Sequence, residues 1–291
     1  MRLVGGIIVA LCGCNQVFGL DDTRLIDASV THHDAPIDVL ATCPPIGTVP
    51  RFSTGLNQVV TQNCSSYSVS TTTGLAVATC YDASQWWPQV SEGQPDGSLL
   101  PARGFPDPTQ VSMTSVRLTP EGDQLYVDAY DYTLWTHAFR TYQRLADGSW
   151  QRGADLPFTA TGSTFLGGPT RGPTRHLLVT TAGGPPSVDE YVSDGSGGWN
   201  LQLHVQPADL GLSNLYTAQL SGDGLRMIAY AERVGDTAYQ VLYADRPSPT
   251  VPFGLMAPLG VPLVSELFMT EDCGRLYFPA LSSIFYTRQI D

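Results

Sequence analysis

The sequence predicts an all-β fold: a five-bladed β-propeller of four-stranded antiparallel blades, with an N-terminal strand closing the last blade. Three observations carry that reading. An apolar strand recurs five times: "LAVATC" from Leu75, "LYVDAY" from Leu125, "LLVTTA" from Leu177, "MIAYAE" from Met227 and "LYFPAL" from Leu276, in steps of 50, 52, 50 and 49 residues. Even spacing of this size marks a propeller or array, and a β-sandwich, the other all-β candidate, does not explain it. Glycine (29) and proline (22) are spread along all 291 residues, so turns are many and strands short. The last copy stops at Asp291 after its third strand, and "GTVPRFSTGL", Gly47 to Leu56, reads like the missing fourth. A ring closed this way leaves no open sheet edge.

The N-terminus is "MRLVGGIIVALCGC". Arg2 supplies a positive start, and the apolar run Leu3 to Cys12 is too short to span a bilayer. Its end, Leu11, Gly13 and Cys14, resembles the lipobox of bacterial lipoproteins. That resemblance implies cleavage after residue 13 and lipidation of Cys14, hence membrane attachment through acyl chains. Asn15 then stands where an inner-membrane retention Asp would, which favours the outer membrane or cell surface. Residues 14–42 carry five Asp against one Arg with no sustained period, as expected of a flexible acidic tether. Its root-mean-square reach is roughly 30 Å as a coil. His32, His33 and Asp34 lie in this tether and preform no metal site.

Residues 43–291 form the propeller domain. Turns precede the recurring strand: "TTTG" to Gly74, "TPEG" to Gly122, "SGDG" to Gly224 and "EDCG" to Gly274, with a degenerate third copy, "RGPTRH". Glycine recurs because a tight hairpin needs a positive φ, which it adopts at no steric cost. An alternating strand comes before each turn ("SSYSVS", "TSVRLT", "YTAQLS", "ELFMT"). An aromatic third strand and a fourth follow ("LWTHAFR" then "DGSWQRGADL", for example). Four strands per unit match one blade. The phrases "LTPEGDQLYV" and "LSGDGLRMIAY" resemble the repeats of TolB-like propellers, within the WD-type group. That resemblance implies a fold and no activity.

With Cys12 and Cys14 set aside, four cysteines remain, an even number that allows three pairings in an exported chain. Cys64 and Cys80 are each eight residues from Thr72, the centre of a hairpin, so antiparallel strands place them opposite one another. Cys43 and Cys273 then pair near the ring closure. A zinc site lacks a CxxC pair and nearby histidine.

Composition bounds the function. The net charge of −12 disfavours nucleic acid, and all fifteen basic residues are arginine. No GxSxG, HExxH or phosphate loop occurs, and no cofactor is expected. A glycosidase needs two carboxylates facing one another. On the innermost strands Glu266 is the only clear acid. His137, His176 and His204 fall in different units and read as structural. The expected function is therefore an envelope-anchored lipoprotein whose propeller is a binding or scaffold module for a protein or glycan. The alternative is a carbohydrate-active or other hydrolytic enzyme. Short "PEG", "GDG" and "DGS" turns fall on one face of the ring. The opposite face takes the longer loops and brings Tyr81, Asp82, Trp86, Tyr130, Asp131, Glu232 and Asp236 toward one rim. Aromatics beside acids suit a sugar, a cation or a peptide. The competing explanation is that each Tyr-Asp only closes a turn.

Overall fold

The computed structural model describes residues 43–60, 63–81, 88–94, 98–105, 111–158, 163–182, 185–261, 266–280 and 283–290. Cys14, Asp82 and Trp86 lie outside them. Five antiparallel sheets form a five-bladed propeller. Blade 1 runs β3 (Cys64–Val69), β4 (Ala76–Cys80), β5 (Gln89–Gly93) and β6 (Leu99–Pro101) from the axis outward. Blade 2 is β7 (Val111–Leu118), β8 (Gln124–Asp131), β9 (Thr136–Arg144) and β10 (Trp150–Asp155). Blade 3 is β11 (Ser163–Gly167), β12 (His176–Ala182), β13 (Ser187–Ser193) and β14 (Trp199–Val205). Blade 4 is β15 (Leu212–Leu220), β16 (Arg226–Arg233), β17 (Gln240–Asp245) and β18 (Ala257–Pro258). Blade 5 holds β19 (Phe268–Met269), β20 (Arg275–Ala280) and β21 (Ser283–Ile290). Its outer edge is closed by β1 (Arg51–Phe52) and β2 (Asn57–Val60), both antiparallel to β21. The closing segment thus reaches four residues past Leu56.

The recurring phrase has a physical cause in a hydroxyl. Ser70, Thr119, Thr170, Ser221 and Thr270 each precede a strand-1 to strand-2 hairpin, at steps of 49, 51, 51 and 49 residues. In four blades the hydroxyl accepts the amide of the residue that opens the next strand: Gln124 to Thr119 (3.1 Å), His176 to Thr170 (2.8 Å), Arg226 to Ser221 (2.9 Å) and Arg275 to Thr270 (2.9 Å). In blade 1 Ser70 accepts from Thr73 instead (3.1 Å). The degenerate third turn therefore keeps the one group the hairpin needs, since a buried amide must find a partner.

The positive-φ position follows that hydroxyl by three residues at Gly122 (+74°) and Gly224 (+70°). In blade 5 it is Cys273 (+61°), not Gly274, that occupies it. Cys273 is bonded to Cys43, and Cys64 to Cys80. Cys64 faces Cys80 because a β-bulge at Ser65 shifts the register by one. Equivalent bulges occur at Thr114 and Tyr216.

Among the described residues, five apolar clusters pack the ring, one at each seam. Val77 and Val90 pack on Val116 and Tyr142 between blades 1 and 2, and Phe139 and Phe158 on Leu166 and Leu177 between blades 2 and 3. Leu178 and Val188 meet Leu215 and Met227 at the next seam, and Ile228 and Val241 meet Leu267 and Leu276 at the one after it. Tyr67 and Ala78 complete the ring against Phe268 and Tyr277.

Candidate functional site

The axis is closed on the turn face. Glu271 accepts from Thr71 and Arg171, the Arg171 amide donates to the Gly222 carbonyl (2.9 Å), the Gly222 amide donates to the Glu271 carbonyl (2.8 Å), and Ser70 donates to the Pro120 carbonyl (2.5 Å). All five hairpin turns are joined there. Burial pushes the Glu271 carboxyl above its ordinary value, and the Thr71 hydrogen bond opposes that rise. The incoming chain also lies on this face. Cys43 is tied to the blade 5 turn, Gly47 donates to Asp245 (2.8 Å) and the Thr48 carbonyl accepts from Arg226 (3.0 Å).

Further along the axis Arg117, fully buried, reaches from blade 2 to Ser66 of blade 1 (2.9 Å) and Glu266 of blade 5 (3.3 Å), with its guanidinium 5.7 Å from the Phe268 ring centroid. Ser115 donates to Glu266 as well (3.4 Å). Glu266 is 6% exposed, and burial raises its carboxyl to about 7 while Arg117 pulls it down. Burial likewise lowers Arg117. A cavity of about 10 Å³ beside the pair has room for one water at most. Among the described residues no second carboxylate is bonded in this group, so the paired-acid geometry of a glycosidase is not assembled there.

Among the described residues the three histidines are each held by a carboxylate. His137 Nδ1 lies 2.9 Å from Asp128, which also accepts from Thr164 across the seam between blades 2 and 3 (2.5 Å). That hydrogen bond to Asp128 raises His137, against burial. His176 meets Glu190 (2.6 Å), which takes both Nη atoms of buried Arg246 at 2.7 Å, and His204 meets Asp189 (2.5 Å). These are bonds between neighbouring strands or blades. Among the described residues no group of three or more His, Cys, Asp or Glu side chains is placed to hold a metal ion.

The loop face is different. Phe165, Tyr216, Tyr230 and Tyr239 form a half-buried row with successive centroid separations of 4.7, 6.0 and 5.2 Å. Tyr216 is the extra residue of the bulge between Leu215 and Thr217 in blade 4. Burial raises the Tyr216 hydroxyl, with Glu266 the next contributor, and burial raises Tyr230 with Tyr239 next. The row ends at an open groove of about 500 Å³ lined by Arg233, Asp236, Tyr239 and Gln240. Gln240 donates to Asp236 (2.5 Å), and Arg233 Nε stands 3.9 Å from it.

Of the residues expected on the rim, Asp236 lies in this groove and Glu232 on β16 opposite Asn214. Tyr81 is 39% exposed, and Tyr130 stands 5.0 Å from both the Tyr132 and the His137 rings. Asp131 closes its turn by accepting the amides of Thr133 (2.8 Å) and Leu134 (3.1 Å). That turn presents Leu134 (67% exposed) and Trp135 (76% exposed, φ +56°) at the hairpin tip. The aromatic row escaped the sequence reading: nothing in "LSNLYTAQ" announces a bulge at Tyr216.

No protein-family model and no curated protein matches the chain. Among solved structures it is similar to a gluconolactonase from Xanthomonas campestris (13% identity, TM-score 0.47, covering 84% of this chain and 95% of that one). It is also similar to a Bombyx mori GH32 beta-fructofuranosidase (11%, 0.49, 82% and 62%) and to Kuenenia stuttgartiensis hydrazine synthase (14%, 0.46, 73% and 60%). The chain thus spans 60% of the length of the hydrazine synthase chain. At these identities and TM-scores the neighbours carry nothing about the chemistry of this protein.

Proposed function

We propose that this protein is a binding module of the TolB-like propeller type, held in the cell envelope by acylated Cys14 and recognising its ligand with the loop face. The observation that carries the reading is the aromatic row of Phe165 in blade 3 with Tyr216, Tyr230 and Tyr239 in blade 4. Four rings beside the loop-face groove stay half-buried, although an apolar row gains by full burial. Leu134 and Trp135 add a second exposed apolar element on the same face, and a cluster of this kind marks an interaction site. Two disulfides fit an oxidising compartment outside the cytoplasm, and the lipobox-like "LCGC" fits outer-membrane attachment. A hydrolase is less well supported, because Glu266 is bound by Arg117 and, among the described residues, no second acid is bonded beside it.

The test compares two variants, both in a Cys14→Ser background that removes the anchor, for retention on envelope fractions of the producing cells. Tyr230→Ala with Asp236→Ala removes the loop-face groups, and Arg171→Ala alters only the turn face. Loss of retention by the first variant alone supports the reading. Equal retention of both, or equal loss, contradicts it. Labelled palmitate incorporated by the wild type and absent from Cys14→Ser tests the anchor separately.

A further inference from the structure

Resting on the loop-face reading, we infer that the row Tyr216–Tyr230–Tyr239, with the groove at Arg233, Asp236 and Gln240, is a platform for an extended, uncharged glycan chain. The first warrant is shape. The Tyr216 and Tyr230 centroids are 6.0 Å apart and those of Tyr230 and Tyr239 5.2 Å, on adjacent strands and all half-buried, so they offer neighbouring apolar patches across the sheet to an extended ligand. The apolar C–H faces of sugar rings suit such patches.

The second warrant is the polar end of the row. Asp236, Gln240 and Arg233 carry a carboxylate, an amide and a guanidinium, planar groups that each engage two neighbouring oxygens or hydroxyls at once. They are already arranged before any ligand arrives: Gln240 donates to Asp236 at 2.5 Å, and Arg233 stands 3.9 Å from the same carboxylate. Preorganisation of this kind lowers the ordering cost of binding. Vicinal hydroxyls are the ligand groups that match such pairs.

The other occupants fit less well. An extended peptide gains most from a free strand edge, and the row runs across a sheet whose β15, β16 and β17 are paired with one another. An anionic glycan or a nucleic acid meets a chain of net charge −12, with Asp236 in the groove and Glu266 behind Tyr216. A lipid surface would have to desolvate the Arg233–Asp236–Gln240 group.

The experiment is isothermal titration of the intact protein with neutral linear hexasaccharides of glucose and of N-acetylglucosamine, in β- and α-linked series. At least one series is expected to bind. Tyr239→Ala should weaken it by about tenfold or more, the usual effect of removing a central aromatic anchor. Tyr239→Phe, which keeps the ring, should stay within about threefold. Asp236→Asn should weaken binding at an unchanged melting temperature. Failure of every series to bind at about 10 mM overturns the glycan assignment, as does binding that survives Tyr239→Ala. The broader reading fails separately, by the envelope retention test without the anchor: in the Cys14→Ser background, a Tyr230→Ala, Asp236→Ala protein that loses envelope retention while no hexasaccharide binds keeps the loop face and removes the glycan.

Discussion

Arg117 Nη2 lies 3.3 Å from Glu266 Oε1 at the axis of the ring, a guanidinium of blade 2 meeting a carboxylate of blade 5, both buried. The pair ties the inner strand of blade 2 to the start of blade 5. Desolvation opposes it, since the attraction of two buried charges only partly repays the cost of taking them from water.

Stability should therefore depend on pH through Glu266. Its carboxyl titrates near 4.5 when unfolded and about 7 when folded. A raised acid stabilises fully below the unfolded value, and that stability is lost as pH rises through about 7. Glu266→Gln removes the titration. The stability of the variant relative to wild type should grow from pH 5 to pH 8 by up to roughly 3 kcal/mol. Denaturant titrations at several pH values check this; a difference that stays flat or shrinks would contradict it.

The five hairpin hydroxyls should be worth more than ordinary surface serines. Thr119→Ala and Ser221→Ala each leave a strand-opening amide without its partner and should each cost about 1–2 kcal/mol. Thr119→Ser should recover most of the loss. Equilibrium unfolding measures it. A loss below about 0.5 kcal/mol in both alanine variants would mean that the repeat is kept for another reason.

Cys273 stands where blades 2 and 4 use glycine, at φ +61°. In a Cys43→Ser background, Cys273→Gly should be more stable than Cys273→Ala by about 1 kcal/mol, because a Cβ is disfavoured in the left-handed region. Equal melting temperatures for the two double variants would mean that this turn relaxes without the disulfide.

The ring of His137 should titrate above an ordinary histidine because it bonds to Asp128. Its contribution to stability is full below the unfolded value of 6.5 and is lost as pH rises through the raised folded value. Asp128→Asn should lower the His137 midpoint in an NMR titration. A midpoint unmoved by that change would show that the hydrogen bond does not set it.

What could be read in advance follows from period. Spacing near 50 residues marks one blade, so the blade count, the closing strand beside β21 and the Cys64–Cys80 pair were legible. The Cys64 register was reached by counting from Thr72, although the facing geometry arises from a bulge at Ser65 that counting does not reveal. The turn of blade 5 was misplaced at Gly274 because glycine identity stood in for backbone conformation. Tyr216 was illegible for a related reason: it is the unpaired residue of a bulge, and a tyrosine within an alternating strand reads as packing. Arg117 gave no signal either, since its partners lie 51 and 149 residues away in sequence.

Recognition by the loop face is tested most directly by amide hydrogen exchange of the intact protein with and without solubilised envelope from the producing cells. Added protection is expected in residues 130–137, 214–216 and 230–240, with the hairpin turns near 70–74, 119–123 and 270–274 unchanged. Protection gathered on those turns, and none on the loops, would contradict it.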